Sequence, residues 1–329
     1  MSVAIILGAS GFIGSHVAEA LRGLPGLDVI GAGLGGRPPQ FTASWLDLDL
    51  LADDPAVLAE HVRDLGPSVV VNCTGSTVGS AADFVRSNVL ATANLLDIVE
   101  RCGAAARLIH IGSAAEYGRA EPGQPVTEST CARPLSPYGV AKLAATQLVS
   151  TATAAGRVDG FVLRVFNALG PRMPEHTLPG AALRRLTAAV AGSEARIEMG
   201  PLDSVRDFVD VRDIGTAVAA AFTGPRPGPS VINIGSGIAR SSRDLVTALA
   251  AGLGFRGIIG EAAAGSSRST DVPWLVADVA LAARALEWRA RHDLASSVRL
   301  MLAQRYDGAG GAGGPSPGRG ADPGYPAAT

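Results

Sequence analysis

Residues 3–14 restrict the fold of this chain more than any other stretch. Val3-Ala4-Ile5-Ile6-Leu7 is a short, unbroken apolar run. Such a run suits a strand buried on both faces of a parallel sheet. Gly8-Ala9-Ser10-Gly11-Phe12-Ile13-Gly14 follows at once, and helical spacing then runs from Ile13 to about Arg22. The rhythm repeats. Residues 27–32, 68–72, 107–112 and 161–165 read as further strands, and 54–65, 82–101 and 137–155 as helices. Alternation of β and α at this spacing predicts an α/β fold built on a doubly wound parallel sheet.

After about Asn167 the rhythm becomes irregular: a helix over 178–191, a loop around 200–213, a strand at 231–234 and a helix at 242–252. These segments predict a smaller α/β lobe beside the carboxyl ends of the strands. The expected organisation is a larger domain over 1–166 with about 204–235, and a smaller lobe from 167–203 and 236–306. Residues 308–329 hold eight Gly and four Pro among 22 positions and almost no aliphatics beyond Ala. They cannot bury enough surface to offset the entropy of ordering, so 307–329 is expected to be a disordered tail.

Composition narrows the partners. A formal net charge of −2 with 18% charged residues leaves no basic stripe or acidic tail, which argues against nucleic acid or a membrane surface. No apolar run approaches the roughly 18 residues of a membrane span, and the N-terminus lacks the basic start of a secretory leader. Cys73, Cys102 and Cys131 are odd in number and show no CxxC spacing, and the five histidines are scattered. No disulfide framework and no metal site is expected, and a reducing cytoplasm is the simplest home.

The glycine loop sits between a strand and a helix. There, Gly8, Gly11 and Gly14 allow a tight turn and close backbone approach to a pyrophosphate, beside the free N–H groups of a helix start that begins at Phe12 and Ile13. The second strand should end in an acid if the cofactor is NAD, because that acid binds the ribose 2′-OH. The position is Gly33, with Arg37 close behind. An arginine there is suited to a 2′-phosphate, which tilts the cofactor toward NADP(H) over NAD(H). Asp47 and Leu48 are placed to meet the adenine edge. Thr74, just beyond the 68–72 strand, joins the cofactor-binding candidates.

Of the 28 Lys and Arg residues, 27 are Arg; the single lysine is Lys142. It lies four residues after Tyr138, in Ser136-Pro137-Tyr138-Gly139-Val140-Ala141-Lys142, so both project from one helical face. A cation beside a phenol favours the phenolate and turns the tyrosine into a general acid/base. Lys142 is also placed to hold ribose hydroxyls. The strand ending at Gly112 delivers Ser113 to the carboxyl edge of the sheet, where ligands bind in such folds.

These residues resemble those of the extended short-chain dehydrogenase/reductases, the nucleotide-sugar epimerase, dehydratase and reductase group. GASGFIG, IGSAAEYG at 111–118, SPYGVAK at 136–142, RVFNALGPR at 164–172, VRDFVDVRD at 205–213 and LEWRARHDL at 286–294 recur in that family's order. The resemblance implies a Rossmann-type domain that binds NAD or NADP, a nucleotide diphosphate sugar in the smaller lobe, and a homodimer paired through the helices near 82–101 and 138–155. It implies that Ser113, Tyr138 and Lys142 are the catalytic trio. It places Asn88 near the active site, Asn167 at the substrate diphosphate, and Arg206 and Arg268 on the nucleotide phosphates.

The departures narrow the chemistry. Related 4,6-dehydratases carry an acid pair directly after the catalytic hydroxyl residue, and here Ala114 and Ala115 stand there. Related 3,5-epimerase/reductases carry a cysteine at the position of Ala115. A 4-ketoreductase using NADPH and a 4-epimerase using tightly held NAD remain, and Gly33 favours the reductase. Some relatives bind dinucleotide without catalysis, but that reading predicts loss of the tyrosine or the lysine.

Overall fold

The computed structural model describes residues 2–38, 41, 43–102, 106–225, 228, 230–262 and 272–308. Strands β1 (Ser2–Leu7), β2 (Leu27–Gly33), β3 (Ser44–Asp47), β4 (Val69–Asn72), β5 (Arg107–Ser113), β6 (Asp159–Val165) and β10 (Val231–Ile234) form one sheet. Their order is β10-β6-β5-β4-β1-β2-β3, and every pairing is parallel. The chain runs outward from β1 to β2 and β3, then returns to β4 on the other side of β1. A crevice therefore opens outside the carboxyl ends of β1 and β4, where open parallel sheets bind ligands.

Strict alternation along β1 explains the two layers. Ala4 and Ile6 join Val17 and Leu21 of α1 (Phe12–Arg22) and Ile214 and Val218 of α7 (Val211–Thr223) on one face. Ile5 and Leu7 join Leu58 and Val62 of α2 (Pro55–Leu65), Leu95 and Val99 of α4 (Ala91–Arg101) and Val149 of α5 (Pro137–Ala154) on the other. Each fully buried Ile or Leu contributes about 1.5–3 kcal/mol. α1 and α7 cross closely: a Cβ on Gly215 would lie 2.7 Å from Ala20 Cβ.

The stretch 200–213, expected to be a loop, holds β9 (Val205–Asp210) and the start of α7. β9 pairs in parallel with β7 (Asn167–Leu169) and β13 (Trp274–Leu275), and antiparallel with β11 (Ala239–Ser241). A third pair joins β8 (Arg196–Glu198) to β12 (Ile258–Gly260). The acids of this stretch hid its order, because they are buried. Asp207 accepts hydrogen bonds from the backbone N–H groups of Ser236, Gly237 and Ala277. Asp210 caps α7 and accepts from Ser297 Oγ at 2.5 Å. Asp213 accepts from Arg291 N, His292 N and His292 Nδ1 at 3.0, 2.9 and 2.8 Å.

A third apolar cluster gathers α6 (Leu178–Ala191), α8 (Ser242–Leu253) and α10 (Leu294–Gly308) through Leu186, Leu245, Leu249 and Met301. α9 (Ala280–Ala285) packs against β10. The tail expected from 307 is helical to Gly308, and the rest of it lies outside the described residues. Among the described residues, no helix is long and apolar enough to cross a membrane.

The single helix expected over 82–101 is three pieces. Ser80 caps α3 (Ala81–Phe84), a π turn spans Val85–Leu90, and α4 follows. Side chains take the carbonyls that the π turn frees: Asn88 Nδ2 donates to Phe84 O at 3.1 Å, and Thr92 Oγ1 donates to Asn88 O at 2.6 Å.

Asp213→Ala leaves three donors in a buried site without their acceptor. It is expected to lower unfolding free energy by about 2–3 kcal/mol, read as a fall in the urea midpoint at unchanged slope.

Candidate active site

The glycine loop leaves β1 at Gly8, whose φ of 72° lies in the left-handed region. A Cβ on Gly8 would come 2.8 Å from Cys73 O, so the loops after β1 and β4 meet at the crevice. A Cβ on Gly14 would lie 2.2 Å from Gly8 O, so only glycine lets α1 begin this close to the turn. Gly11 occupies the position before Phe12 and Ile13. α2, α5, α6, α7 and α8 each carry a side-chain cap, from Asp54, Ser136, Thr177, Asp210 and Ser241. α1 has no side-chain cap. Its first-turn N–H groups and the positive end of its dipole thus remain available to a pyrophosphate. The residues present fit a dinucleotide.

At the adenosine end, the register pairs Gly33 with Asp47. The acid missing from the end of β2 has a neighbour on β3, but Asp47 Oδ1 accepts from Gly36 N at 2.8 Å and from Trp45 Nε1 at 3.3 Å. Leu48 is buried and donates its N–H to Gly33 O. Arg37 is exposed on the turn after β2. Thr74 follows β4 and donates both N–H and Oγ1–H to Asn72 Oδ1.

The catalytic candidates converge at the carboxyl end of β5. Ser113 ends the strand, and its Oγ accepts from Ala115 N at 3.2 Å, starting a 3-10 turn over Ala114–Glu116. Ser136 and Pro137 start α5 at a fixed point. A Cβ on Gly139 would lie 2.5 Å from Ala115 O, so the absent side chain lets the first turn of α5, with Tyr138, press against the Ser113 turn. The Tyr138 ring meets Phe84 edge-on, centroids 5.7 Å apart. One turn on, Lys142 is 5% exposed and Nζ donates to Ile111 O at 2.5 Å. Burial pulls the ammonium below its ordinary range, and Glu116 pulls it back up.

These features gather a hydroxyl, a phenol and a buried ammonium at the sheet edge next to the glycine loop. A match to the model of the NAD dependent epimerase/dehydratase family covers residues 4–235. The chain belongs to that family. It is 35% identical over 296 residues to the dTDP-6-deoxy-L-talose 4-dehydrogenase (NAD(P)(+)) of Kitasatospora kifunensis, spanning 89% of this chain and 92% of the relative. It is 30% identical over 255 residues to the GDP-6-deoxy-D-mannose reductase of Pseudomonas aeruginosa, spanning 74% and 78%. The solved structure of MoeE5 in complex with UDP-glucuronic acid and NAD superposes with a TM-score of 0.80 at 29% identity, covering 94% of this chain and all of that one. The resemblance to extended short-chain dehydrogenase/reductases and the Rossmann-type parallel sheet expected from the sequence are borne out.

Within this family member, the substrate candidates fall in two places. Asn88 is buried on the π turn, and its Nδ2 also donates to Ser76 O. A Cβ on Gly75 would lie 2.2 Å from Asn88 Oδ1, so this amide holds the loop after β4 in place. Asn167 and Arg206 come together on the second sheet. Asn167 Nδ2 donates to Asp207 O at 3.1 Å, and Arg206 Nη1 donates to Val205 O at 2.8 Å. Burial pushes the Arg206 guanidinium down to about 10. Arg268 lies outside the described residues.

Sequence reasoning missed Glu116, a fully buried acid inside a motif read for its serine alone. It also missed His110, whose Nδ1 meets Asn72 Nδ2 at 3.0 Å beneath the site. Its one available signal was a polar residue inside an apolar strand. Neither Thr77 nor His176 was singled out. Their side chains meet at 2.9 Å and tie the loop after β4 to the loop after β7.

Gly139→Ala is expected to push Tyr138 off the Ser113 turn. Turnover should fall roughly 100-fold, the scale of a 1 Å misplacement, while dinucleotide binding measured by fluorescence titration stays unchanged.

Proposed function

We propose that this protein is a 4-ketoreductase of a 4-keto-6-deoxy sugar nucleotide, drawing on NADPH and catalysing the reverse 4-dehydrogenation when product accumulates. The observation that carries the reading is the packing of Tyr138, Lys142 and Ser113 around the end of β5, with Ala114 and Ala115 where a dehydratase needs acids. The dTDP-6-deoxy-L-talose 4-dehydrogenase relative supports reaction at C4 and makes a thymidine diphosphate sugar the first substrate to assay.

A bound nicotinamide supplies the hydride, and the chain's own residues do the rest. Ser113 donates a hydrogen bond to the sugar carbonyl oxygen and orients it. Tyr138 gives its phenolic proton to that oxygen as charge develops there. The Lys142 ammonium, one turn away, stabilises the tyrosinate left behind. Asn167, Arg206 and Arg268 grip the diphosphate and nucleotide, a role suited to guanidinium forks. Asn88 shapes the loop over the sugar. Arg37 meets the 2′-phosphate, and Asp47 with Leu48 and Thr74 borders the adenosine. Exposed Val85 and Leu90 on the π turn and Val140 on α5 support a homodimer paired through these helices.

Tyr138→Phe is expected to lose roughly 10²–10⁴-fold in turnover with NADPH binding retained. Lys142→Arg, the commonest kind of basic residue in this chain, should lose most activity as well, since a planar fork does not replace a compact ammonium. Consumption of NADPH with dTDP-4-keto-6-deoxy sugars measures both. Purified protein that carries tightly held NAD and interconverts C4 epimers without net oxidation would overturn the reading. Arg37→Ala should raise the KM for NADPH about 10-fold or more and leave that for NADH unchanged.

A further inference from the structure

Glu116 is an acid at the catalytic edge that the trio does not use. It is fully buried, at the end of the 3-10 turn that starts directly after Ser113. Oε1 accepts from Ser113 N at 2.7 Å, and Oε2 accepts from Nε and Nη2 of Arg164 at 2.9 Å each. The Arg164 guanidinium, itself 4% exposed, lies 4.4 Å from the centre of the Tyr117 ring. A buried ion pair is a weak source of stability, because well-packed apolar residues of similar volume serve as well or better. Holding the turn together needs an acceptor for Ser113 N but not a charge.

The surroundings of Lys142 give the charge a role. Lys142 Nζ is bonded to Ile111 O and Glu116 Oε1 to Ser113 N, two residues further along the same strand, and a Cβ on Gly112 between them would lie 2.9 Å from Glu116 Oε1. Cys73 faces Lys142 from the loop after β4, His110 from β5 and Tyr138 from one turn earlier on α5. Burial pushes the Cys73 thiol up to about 12, and burial together with Lys142 holds His110 well below its ordinary value. Burial thus favours the neutral form of both, and Glu116, ahead of Cys73, is the larger influence favouring the Lys142 ammonium.

We propose that Glu116 is a positioning residue: through one oxygen it fixes Ser113 by its backbone, and by its charge it keeps Lys142 an ammonium at the working pH. The proposal rests on the reading of Ser113, Tyr138 and Lys142 as the reducing machinery. Burial disfavours the charged lysine and Glu116 favours it, so loss of the carboxylate makes Lys142 release its proton at lower pH. Reduction needs a protonated Tyr138 beside a charged Lys142. The basic limb of the reductive pH profile therefore moves to lower pH in the same variant.

Lys142 is the single lysine of the chain, so protein labelled with 13Cε-lysine gives one side-chain resonance to titrate. In Glu116→Gln, whose amide oxygen can still accept from Ser113 N, the Lys142 midpoint is expected to fall by about one pH unit. The basic limb of kcat should follow, with KM for the sugar nucleotide within 2-fold of wild type. Glu116→Asp keeps the charge and shortens the reach to Ser113; it should titrate near wild type while losing kcat. If Glu116→Gln fails to fold, Glu116→Gln/Arg164→Met removes the unpaired buried cation and should show the lowered midpoint. A Lys142 titration that coincides with wild type in folded Glu116→Gln or folded Glu116→Gln/Arg164→Met overturns the proposal. The resonance reports whether or not any sugar is turned over, so failure of this proposal and failure of the reductase reading are separate results.

Discussion

Buried carboxylates bonded to backbone N–H groups organise this structure. Glu116, Asp207, Asp210 and Asp213 are each at most 1% exposed. Each binds at least one backbone N–H outside the regular ladders: Glu116 at the end of β5, Asp207 across to the loop after β10 and to Ala277 just past β13, Asp210 at the start of α7, Asp213 across to the segment before α10. A carboxylate without partners in such a place would cost several kcal/mol. Each acid therefore permits one arrangement of the segments around it. Asp207 ties β9 of the second sheet to the loop after β10 of the first.

The same economy shapes the catalytic edge. Three close approaches bring the parts together: Gly8 against Cys73, Gly14 against Gly8, and Gly139 against Ala115. Each depends on a missing side chain. The first two place an uncapped helix start at the crevice, and the third seats Tyr138 beside Ser113. Lys142 then points inward to Ile111 O rather than to solvent, so the charge on this helix lies inside the fold and not on its surface.

The sequence made the parallel sheet legible because its strands are unbroken apolar runs, and Val69–Asn72 and Arg107–Ser113 lie within a residue of where those runs begin and end. Asp54 and Ser136 stand at the helix starts that periodicity suggested. β9 and α7 were hidden because Asp207, Asp210 and Asp213 read as polar loop, whereas the fold uses them as internal caps. The π turn left no mark in hydrophobic spacing. In the site, the glycine loop and the Tyr138–Lys142 pair were legible from spacing, since a turn and a helix face are local. Glu116 was not, because its meaning depends on Arg164, 48 residues away on the neighbouring strand.

The π turn at Val85–Leu90 has an evolutionary aspect. Such a turn is one residue more than an α-helix would hold over the same span. Its wider spacing lets six residues turn through roughly the angle that five would in an α-helix. The segments on either side therefore keep their phase, and Leu95, Leu96 and Val99 stay turned to the core they fill. The extra residue is taken up locally, where it brings the Asn88 amide against the loop after β4, so losing it should cost that loop its support and leave the packing of α4 intact.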